Sequence, residues 1–269
     1  MMQAFDFAKW EGAGNDFVLV DARADASFTL STTEIERICD RHLGVGSDGL
    51  VLLRRSKGPG ITYAMDFFNP DGTQSFCGNG SRCAFAFHAH LTGDDTPVRF
   101  DAVDGVHEAG WDGRNVRVGM RSVDGIEQLD PHTDLLDTGS PHVVRWVDDP
   151  ESTDVVEEGR SIRNDRRFAD AGVNVNFVHW RDGGLYMRTY ERGVENETLS
   201  CGTGVTAAAL SAMARGGGQG GVDVRTRGGA LRVEASSPAE GRFERVQLIG
   251  PVREVFTGRY FLHKVKERP

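Results

Sequence analysis

The 269-residue sequence has only four cysteines and no run of about 18 consecutive apolar residues. So few cysteines argue against a disulfide scaffold, and none forms the C-x-x-C pair that is typical of zinc sites. The missing apolar run argues against a membrane helix, and the N-terminal region, with Asp6 and Glu11, lacks the features of a signal peptide. We therefore expect a cytoplasmic protein with reduced thiols, no bound metal and no membrane association.

Positive charge is also scarce, because 31 Lys and Arg residues stand against 40 Asp and Glu residues, which gives a net charge of −9. Such a surface repels phosphate backbones and argues against a nucleic-acid partner. The contents of 39% hydrophobic and 26% charged residues are those of a globular chain, so wholesale disorder is excluded. A local site can still hold an anionic small molecule.

The same series of motifs occurs twice along the chain. GAGNDF, GVGSDG, FNPDG and CGNG appear in the first half, and DTGSPH, AGVNVNF, YERG and CGTG follow in the same order in the second. Cys201 follows Cys77 by 124 residues, and Met187 follows Met65 by 122. This duplication predicts two similar domains with approximate twofold symmetry, and corresponding elements of such domains commonly frame a ligand site.

Short strands joined by Gly-rich and Asp-Gly turns predict that both domains are β-rich. We assign residues 1–123 to an N-terminal domain, together with a late strand at about 255–269, and residues 124–254 to a C-terminal domain. Strands are predicted from alternating or apolar runs at 17–21, 50–53, 61–68, 98–101, 116–120, 142–147, 174–180, 185–190, 222–226, 231–234 and 246–249.

Three helices have clear signals. Ser31 and Glu34 form a capping box, after which Ile35, Ile38, Cys39 and Leu43 are expected on one buried face. Apolar helices are predicted at 83–91 and 205–214, each after a Cys-Gly-x-Gly motif. Because these two helices are apolar nearly all round, we expect them at the centre of their domains.

Cys77 and Cys201 occupy matching positions where those two helices start. A helix start presents free N–H groups and a partial positive charge, which lower the pKa of a cysteine thiol and can hold a carboxylate. Two such thiols on opposite faces of one carbon would suit inversion, with one removing a proton and the other delivering one. The alternatives are a redox pair and, as expected for Cys39 and Cys83, buried apolar residues.

The motifs GAGNDF, RHLGVGSDG, FNPDG with CGNGSRC, GSPH, NVNF, YERG with ETLSCGTG, and GPVREVFTG together resemble the diaminopimelate epimerase family from about residue 12 to 262. The resemblance implies a cytoplasmic, commonly dimeric enzyme that interconverts LL- and meso-2,6-diaminoheptanedioate without pyridoxal phosphate or metal. It implies a fold of the α/β class (α+β type), with two pseudo-symmetric domains that each wrap a mainly antiparallel, barrel-like sheet around a central helix. It also implies that Cys77 and Cys201 are the two bases. Lysine and peptidoglycan synthesis would use the product.

The resemblance extends to residues around the cysteines. The backbone cradle for the reacting carboxylate would be formed by Gly78, Asn79, Gly202 and Thr203. The substrate-binding side chains would be Asn15, Asn69, Asn174, Glu191 and Arg192. His142 and Glu191 would adjust the thiol pKa. Two positions depart from the family pattern: Ser140, a possible further contact, replaces an asparagine found in many relatives, and Gly49 replaces a glutamine found in some.

Other interpretations remain open. Asn15 and Asn69 could be turn residues, His142 a core histidine, and Glu191 with Arg192 a solvated charge pair. A proline racemase-like or hydroxyproline epimerase-like enzyme would share the paired cysteines, but it would not need a polar far end of the site. An isomerase of the phenazine-biosynthesis type would not be built on two cysteines. A non-catalytic amino-acid-binding protein would keep the anion cradle without thiols.

Overall fold

The computed structural model describes residues 4–56, 58–168, 172–218, 220–239 and 241–262. Of these residues, 4–12, 16–110 and 252–262 form one compact unit, and 13–15 and 111–251 form a second. The assignment of domains to 1–123 and 124–254 stays a prediction. Residues 263–269 of the late strand assigned to the N-terminal domain lie outside the described residues.

Strands dominate both units. The first six strands are β1 (Ala4–Gly12), β2 (Asn15–Asp21), β3 (Gly49–Arg54), β4 (Tyr63–Phe68), β5 (Val98–Ala102) and β6 (Gly105–Asp112). The next six are β7 (Asn115–Gly119), β8 (Val123–Asp124), β9 (Glu127–Asp130), β10 (Thr133–Asp137), β11 (Pro141–Trp146) and β12 (Asn174–Arg181). The last six are β13 (Gly184–Glu191), β14 (Asn196–Thr198), β15 (Val222–Thr226), β16 (Gly229–Ala239), β17 (Arg242–Gly250) and β18 (Arg253–Phe261).

In the described part of the chain, four α-helices accompany these strands: α1 (Thr32–Cys39), α2 (Gly78–Thr92), α3 (Val155–Arg163) and α4 (Gly202–Ala214). Short 3-10 helices span Pro150–Ser152 and Arg166–Phe168. Helices α2 and α4 are buried along almost their whole length, as expected for central helices. They begin at Gly78 and Gly202, a few residues before the predicted starts at 83 and 205, because the preceding cysteine acts as the N-cap.

The first unit has a simple strand order. Strand β2 pairs in parallel with β3, which pairs antiparallel with β4, and β4 continues in parallel to β5 and antiparallel to β6. Helix α1 connects β2 to β3, and α2 connects β4 to β5. Strand β1, which the sequence patterns did not predict, pairs with β18 from the other end of the described chain. Its alternation is interrupted by buried Lys9, so it lacks a clear strand signal.

The second unit repeats this order. Strand β11 pairs in parallel with β12, which pairs antiparallel with β13, and β13 pairs in parallel with β15, which pairs antiparallel with β16. Helix α3 connects β11 to β12, and α4 lies between β13 and β15. Strand β17 then pairs with β16 and β7.

The repeat holds at the level of single residues. Phe17 is opposite Gly49 in the first unit, and His142 is opposite Asn174 in the second, so both partners are shifted by 125 positions. Further equivalent pairs are Leu50–Phe68 with Val175–Tyr190, Tyr63–Phe100 with Leu185–Val224, and Val98–Ala109 with Val222–Val233. The predicted fold class, with two pseudo-symmetric α/β domains, is therefore confirmed.

One expectation for helix α1, the burial of Leu43 on its apolar face, is wrong. The capping box of Ser31 and Glu34 is present, and Ile35, Ile38 and Cys39 are buried. Leu43, however, lies beyond the helix and is 59% exposed. The helix ends because the Asp40 carboxylate accepts the backbone N–H groups of His42 and Leu43, both at 2.7 Å, and so forms a local turn.

Candidate active site

Cys77 is the N-cap of α2 and is partly exposed. Its backbone is extended, with φ −129° and ψ 106°, and its carbonyl accepts the N–H of Ser81 at 2.8 Å. The backbone N–H of Gly80 donates to Cys77 Sγ at 3.3 Å. An N–H donor at a helix start stabilises a thiolate more than a thiol, so this geometry suits a base.

Arg82 lies one turn into the same helix and is fully buried. Its Nη1 donates to Asn79 Oδ1 at 2.9 Å, whereas Nε and Nη2 have no hydrogen-bond acceptor among the described residues. Burial lowers the pKa of Arg82 to about 10, against the opposing influence of Cys83, Cys77 and Glu11. The guanidinium is therefore still charged at neutral pH and adds positive charge to the region of Cys77.

Cys201 is the N-cap of α4 and is buried. Its backbone angles, φ −122° and ψ 113°, are close to those of Cys77, and its carbonyl likewise accepts an N–H four residues on, from Val205 at 2.8 Å. Its sulfur has a different neighbour, because Sγ lies 3.5 Å from Thr203 Oγ1. The two cysteines thus share a backbone geometry and differ in side-chain contacts.

His142 is fully buried behind Thr203. Its Nε2 lies 3.0 Å from Thr203 Oγ1, and its Nδ1 lies 3.1 Å from Nδ2 of Asn176, which is also fully buried. Burial, and then the nearby charge of Arg192, lowers the pKa of His142 to about 3. The imidazole is therefore neutral at physiological pH and acts through hydrogen bonds.

Ser140, Asn174 and Arg192 form a second polar group in the same unit. Asn174 Nδ2 donates to Ser140 Oγ at 2.9 Å, and Arg192 Nη2 donates to the same oxygen at 3.3 Å. Asn174 Oδ1 accepts the backbone N–H of Arg192 at 3.0 Å. Ser140 thus belongs to this group, and its hydrogen bonds orient the guanidinium of Arg192.

The remaining predicted residues are spread along the fold. Asn69 ties its own turn together, because Nδ2 donates to Thr73 Oγ1 at 3.0 Å and to Ser75 Oγ at 3.2 Å. Asn15 begins β2, and Glu191 ends β13, both half-buried. A substrate contact for any of these three side chains stays a prediction.

The other two cysteines are as expected. Cys39 and Cys83 are buried, and burial raises the pKa of both thiols. Cys39 is the last residue of α1 and Cys83 lies inside α2, so neither occupies a helix start.

Sequence reasoning missed Asn176 and Arg82. Asn176 is the second asparagine of the NVNF motif, and its two-residue spacing from Asn174 on β12 was the available signal, since both side chains face the same side of the sheet. Arg82 is a charged residue within a helix predicted to be buried, and a charged residue is seldom fully buried without a partner.

A further missed group supports the GAGNDF and RHLGVGSDG segments. Asp16 receives an ion pair from Lys9 at 2.7 Å and one from Arg41 at 2.7 Å. Burial alone would raise the pKa of Asp16, but hydrogen bonds from Arg41 and Lys9 outweigh it and hold that pKa well below its usual range. Asp48 joins the group through Arg41. The group fixes the chain next to Asn15.

The described residues contain neither a candidate metal cluster nor a helix that could span a membrane. Within that part of the chain, no cluster of three or more His, Cys, Asp or Glu residues has the arrangement of a metal site. None of the helices there has the length and apolar character needed to span a bilayer.

The fold is similar to the folds of several solved structures. A hydroxyproline epimerase from Agrobacterium vitis matches with a TM-score of 0.74 and 15% identity, covering 98% of this chain and 95% of that one. A phenazine biosynthesis protein from Bacillus anthracis matches with a TM-score of 0.69 and 13% identity, covering 97% and 100%. At such low identity, these similarities establish the fold alone.

Sequence similarity identifies the family. The diaminopimelate epimerase family model matches residues 7–124 and 135–253, one segment for each repeat. The diaminopimelate epimerase of Flavobacterium psychrophilum is 38% identical over 92% of this chain and 97% of its own length. That of Aquifex aeolicus is also 38% identical, over 94% and 97%. The chain belongs to the diaminopimelate epimerase family.

Proposed function

We propose that this protein is a cofactor-independent epimerase that interconverts LL- and meso-2,6-diaminoheptanedioate. The observation that carries the proposal is the pair of cysteines, Cys77 and Cys201, with the same N-cap backbone geometry at the starts of two buried helices. Family membership supports the choice of substrate, because the relatives named above are diaminopimelate epimerases.

In the proposed reaction, one cysteine is a thiolate and the other a thiol. The thiolate takes the proton from the α-carbon, so the C–H bond breaks, an S–H bond forms and the electron pair stays on carbon. The thiol then gives its proton to the opposite face of that carbon, which inverts the centre. After one turnover the two cysteines have exchanged protonation states, and the reverse reaction uses them in the opposite order.

The helix starts supply the stabilisation that this reaction needs. An α-proton of an amino acid is a very weak acid, and the negative charge of the carbanion is shared with its carboxylate. Backbone N–H groups at the starts of α2 and α4, from Gly78, Asn79, Gly202 and Thr203, would hold that carboxylate. Fixed N–H donors and helix dipoles stabilise developing negative charge without reorganisation.

The polar group of Ser140, Asn174 and Arg192 would bind the far end of the substrate. The planar guanidinium of Arg192 suits the second carboxylate of diaminoheptanedioate, and the two hydrogen bonds to Ser140 Oγ support the orientation of this guanidinium. Glu191 would bind an amino group near the reacting carbon, and Asn15 and Asn69 would complete the polar contacts. His142 would adjust Cys201 through Thr203.

A proline or hydroxyproline epimerase is the second candidate, favoured by the similarity of fold. A compact cyclic substrate would leave Arg192 and its partners without a carboxylate to bind, which supports diaminopimelate instead. A non-catalytic binding protein would have no use for two thiols with the same cap geometry. From the family resemblance we also propose a cytoplasmic homodimer that serves lysine and peptidoglycan synthesis.

Isotope exchange tests the function directly. Reduced protein and LL-diaminopimelate are incubated in deuterated water without added cofactor, with L-proline and trans-4-hydroxy-L-proline in parallel samples. We expect deuterium at one α-carbon of diaminopimelate, with inversion, and none in the cyclic amino acids. Exchange in the cyclic substrates alone would establish the second candidate, and no exchange in any sample would overturn the enzyme assignment.

The same assay tests the two-base assignment. Cys77→Ala and Cys201→Ala should each reduce epimerisation by about 10²–10⁴-fold, the usual effect of losing a general acid or base. Cys39→Ala and Cys83→Ala are the matched controls. Each of these variants that folds should keep the epimerisation rate of the unsubstituted protein. A single active-cysteine variant with normal turnover would contradict the assignment.

A further inference from the structure

The hydrogen bonds behind Cys201 have a defined direction, and Asn176 sets it. Asn176 Nδ2 lies 3.1 Å from the carbonyl oxygen of Val143 and 3.1 Å from His142 Nδ1. A carbonyl oxygen can only accept a hydrogen bond, so the amide nitrogen must face Val143. Asn176 Oδ1 then points to Thr189, whose hydroxyl donates to it at 3.0 Å. The amide orientation is thus fixed at both of its ends.

This orientation decides which nitrogen of His142 carries the proton. Because the amide donates to Nδ1, that nitrogen must present its lone pair, and the proton of the neutral ring is on Nε2. The Nε2–H group therefore donates to Thr203 Oγ1, 3.0 Å away. The Thr203 hydroxyl accepts this bond, so its own proton is available for the acceptor on the other side. That acceptor is Cys201 Sγ, at 3.5 Å.

We propose that Asn176 is a positioning residue for Cys201, which acts by placing the His142 ring proton on Nε2 and so turns the Thr203 hydroxyl proton toward Cys201 Sγ. A hydrogen bond to sulfur is stronger when the sulfur carries a negative charge, so this order of donors stabilises the thiolate. The charged group that acts on His142 among the described residues is Arg192, which opposes a second proton on the ring.

Close packing supports a dedicated role for Asn176. A Cβ atom on Gly204, in the first turn of α4, would lie 2.4 Å from Asn176 Oδ1. The start of α4 therefore approaches the amide so closely that only glycine fits, and Asn176 cannot turn away from His142 without losing its bonds to Val143 and Thr189. The side chain has the rigidity that a positioning residue requires.

The first repeat has no such network. The positions equivalent to His142, Asn176 and Thr189 hold the buried apolar residues Phe17, Val51 and Phe67. The equivalent of Thr203 is Asn79, whose Oδ1 is bound by Arg82. Cys77 therefore serves as an internal control for any experiment on Cys201.

Two measurements on the full chain test the proposal, and neither needs a substrate. The first is nitrogen-15 NMR of histidine-labelled protein at neutral pH. We expect the His142 resonances of a neutral ring with protonated Nε2 and unprotonated Nδ1. A ring that is protonated on Nδ1, or on both nitrogens, would overturn the proposed order of donors.

The second measurement follows the rate of iodoacetamide alkylation of each cysteine against pH, by mass spectrometry of the peptides. Thr203→Val should raise the midpoint for Cys201 by about one pH unit, since a hydrogen bond to a charged group is lost. Thr203→Ser keeps the hydroxyl and should restore the midpoint. Asn176→Leu frees the ring proton to move to Nδ1, so it should raise the midpoint in the same direction by a smaller amount.

In all of these variants the midpoint of Cys77 should stay within about 0.2 units of its original value, because the Gly80 N–H donor and the Arg82 charge that act on Cys77 are left in place. An unchanged Cys201 midpoint in Thr203→Val, or an equal shift at Cys77, would overturn the proposal. The role of the Cys201 thiolate in proton abstraction rests on the proposed function. The alkylation and NMR results would stand even if the isotope exchange failed, so the two failures are distinguishable.

Discussion

The two repeats have nearly the same backbone around their cysteines and opposite surroundings for the side chains. In the second repeat, His142, Asn176 and Thr189 form a buried polar network behind Cys201. In the first, Phe17 and Phe67 pack edge to face, 5.9 Å apart, in the equivalent positions. A duplicated cap can therefore support a thiolate in two ways.

The two repeats also differ in the charged and polar groups near their cysteines. Cys77 has a backbone donor and, in the same helix, the buried charge of Arg82. The residue equivalent to Arg82 in the second repeat is Thr206, whose hydroxyl bonds to the helix backbone at 2.9 Å. An apolar environment strengthens the effect of a single charge, whereas a hydrogen-bond network acts only on the atom it reaches. Substitutions in the two repeats should therefore have different consequences.

The largest expected difference concerns two buried arginines. Arg188, in the second repeat, donates two hydrogen bonds to Glu197 and two to backbone carbonyls, so Arg188→Met breaks a buried ion pair. It should lower the free energy of unfolding by about 3–5 kcal/mol. Arg82→Met removes a buried charge that has a single hydrogen-bond partner among the described residues, so that free energy should change by less than about 1 kcal/mol or rise. Denaturant unfolding of both variants measures the difference.

An equal loss of unfolding free energy in the two arginine variants would contradict this prediction. It would mean that an anion neutralises the charge of Arg82 as fully as Glu197 neutralises that of Arg188. Lys would be the wrong control at either position, because it cannot reproduce the planar guanidinium.

The next comparison uses the equivalent glycines 80 and 204. Gly204→Ala should destabilise the protein by about 1–3 kcal/mol, because its Cβ would lie 2.4 Å from Asn176 Oδ1, which cannot move freely. Gly80→Ala meets Cys77 Sγ and Phe67 at an ordinary 3.5 Å, so it should be neutral or stabilise by up to about 1 kcal/mol through helix propensity. Thermal unfolding of both variants gives the sign of each effect. Similar losses would show that the first turns of α2 and α4 are packed alike.

The smallest expected effect is the pH dependence of stability at His142, because Phe17, the equivalent residue of the first repeat, does not titrate. His142 has a pKa of about 3 in the folded protein and an ordinary value near 6.5 when unfolded. Between these values the unfolded chain binds the extra proton, so stability falls as the pH falls. From pH 7 to 5.5 this histidine should account for about 1 kcal/mol of that loss.

His142→Gln is the variant that removes this titration, while Phe17→Leu in the first repeat leaves it in place. The unfolding free energy of the His142→Gln variant should therefore depend less steeply on pH than that of Phe17→Leu. Equal slopes would indicate that His142 is protonated in the folded state at these pH values.

Local spacing was sufficient to predict much of the site. The duplication, the helix starts at Cys77 and Cys201, and the burial of Cys39 and Cys83 all depend on residues close together in the chain. The capping box at Ser31 was predictable for the same reason, whereas Leu43 was misplaced because the side chain of Asp40 ends the helix early.

The sequence by itself therefore determined the two repeats, their class of fold and the helix starts at Cys77 and Cys201. Only the tertiary structure decided how each cysteine is supported. Thr203 meets His142 across 61 residues of chain, and Asn176 meets His142 across 34, because a parallel strand pair and a helix start bring them together in one register. Hydrogen bonds have direction and a narrow range of length, so a network of this kind depends on backbone positions that no local pattern specifies.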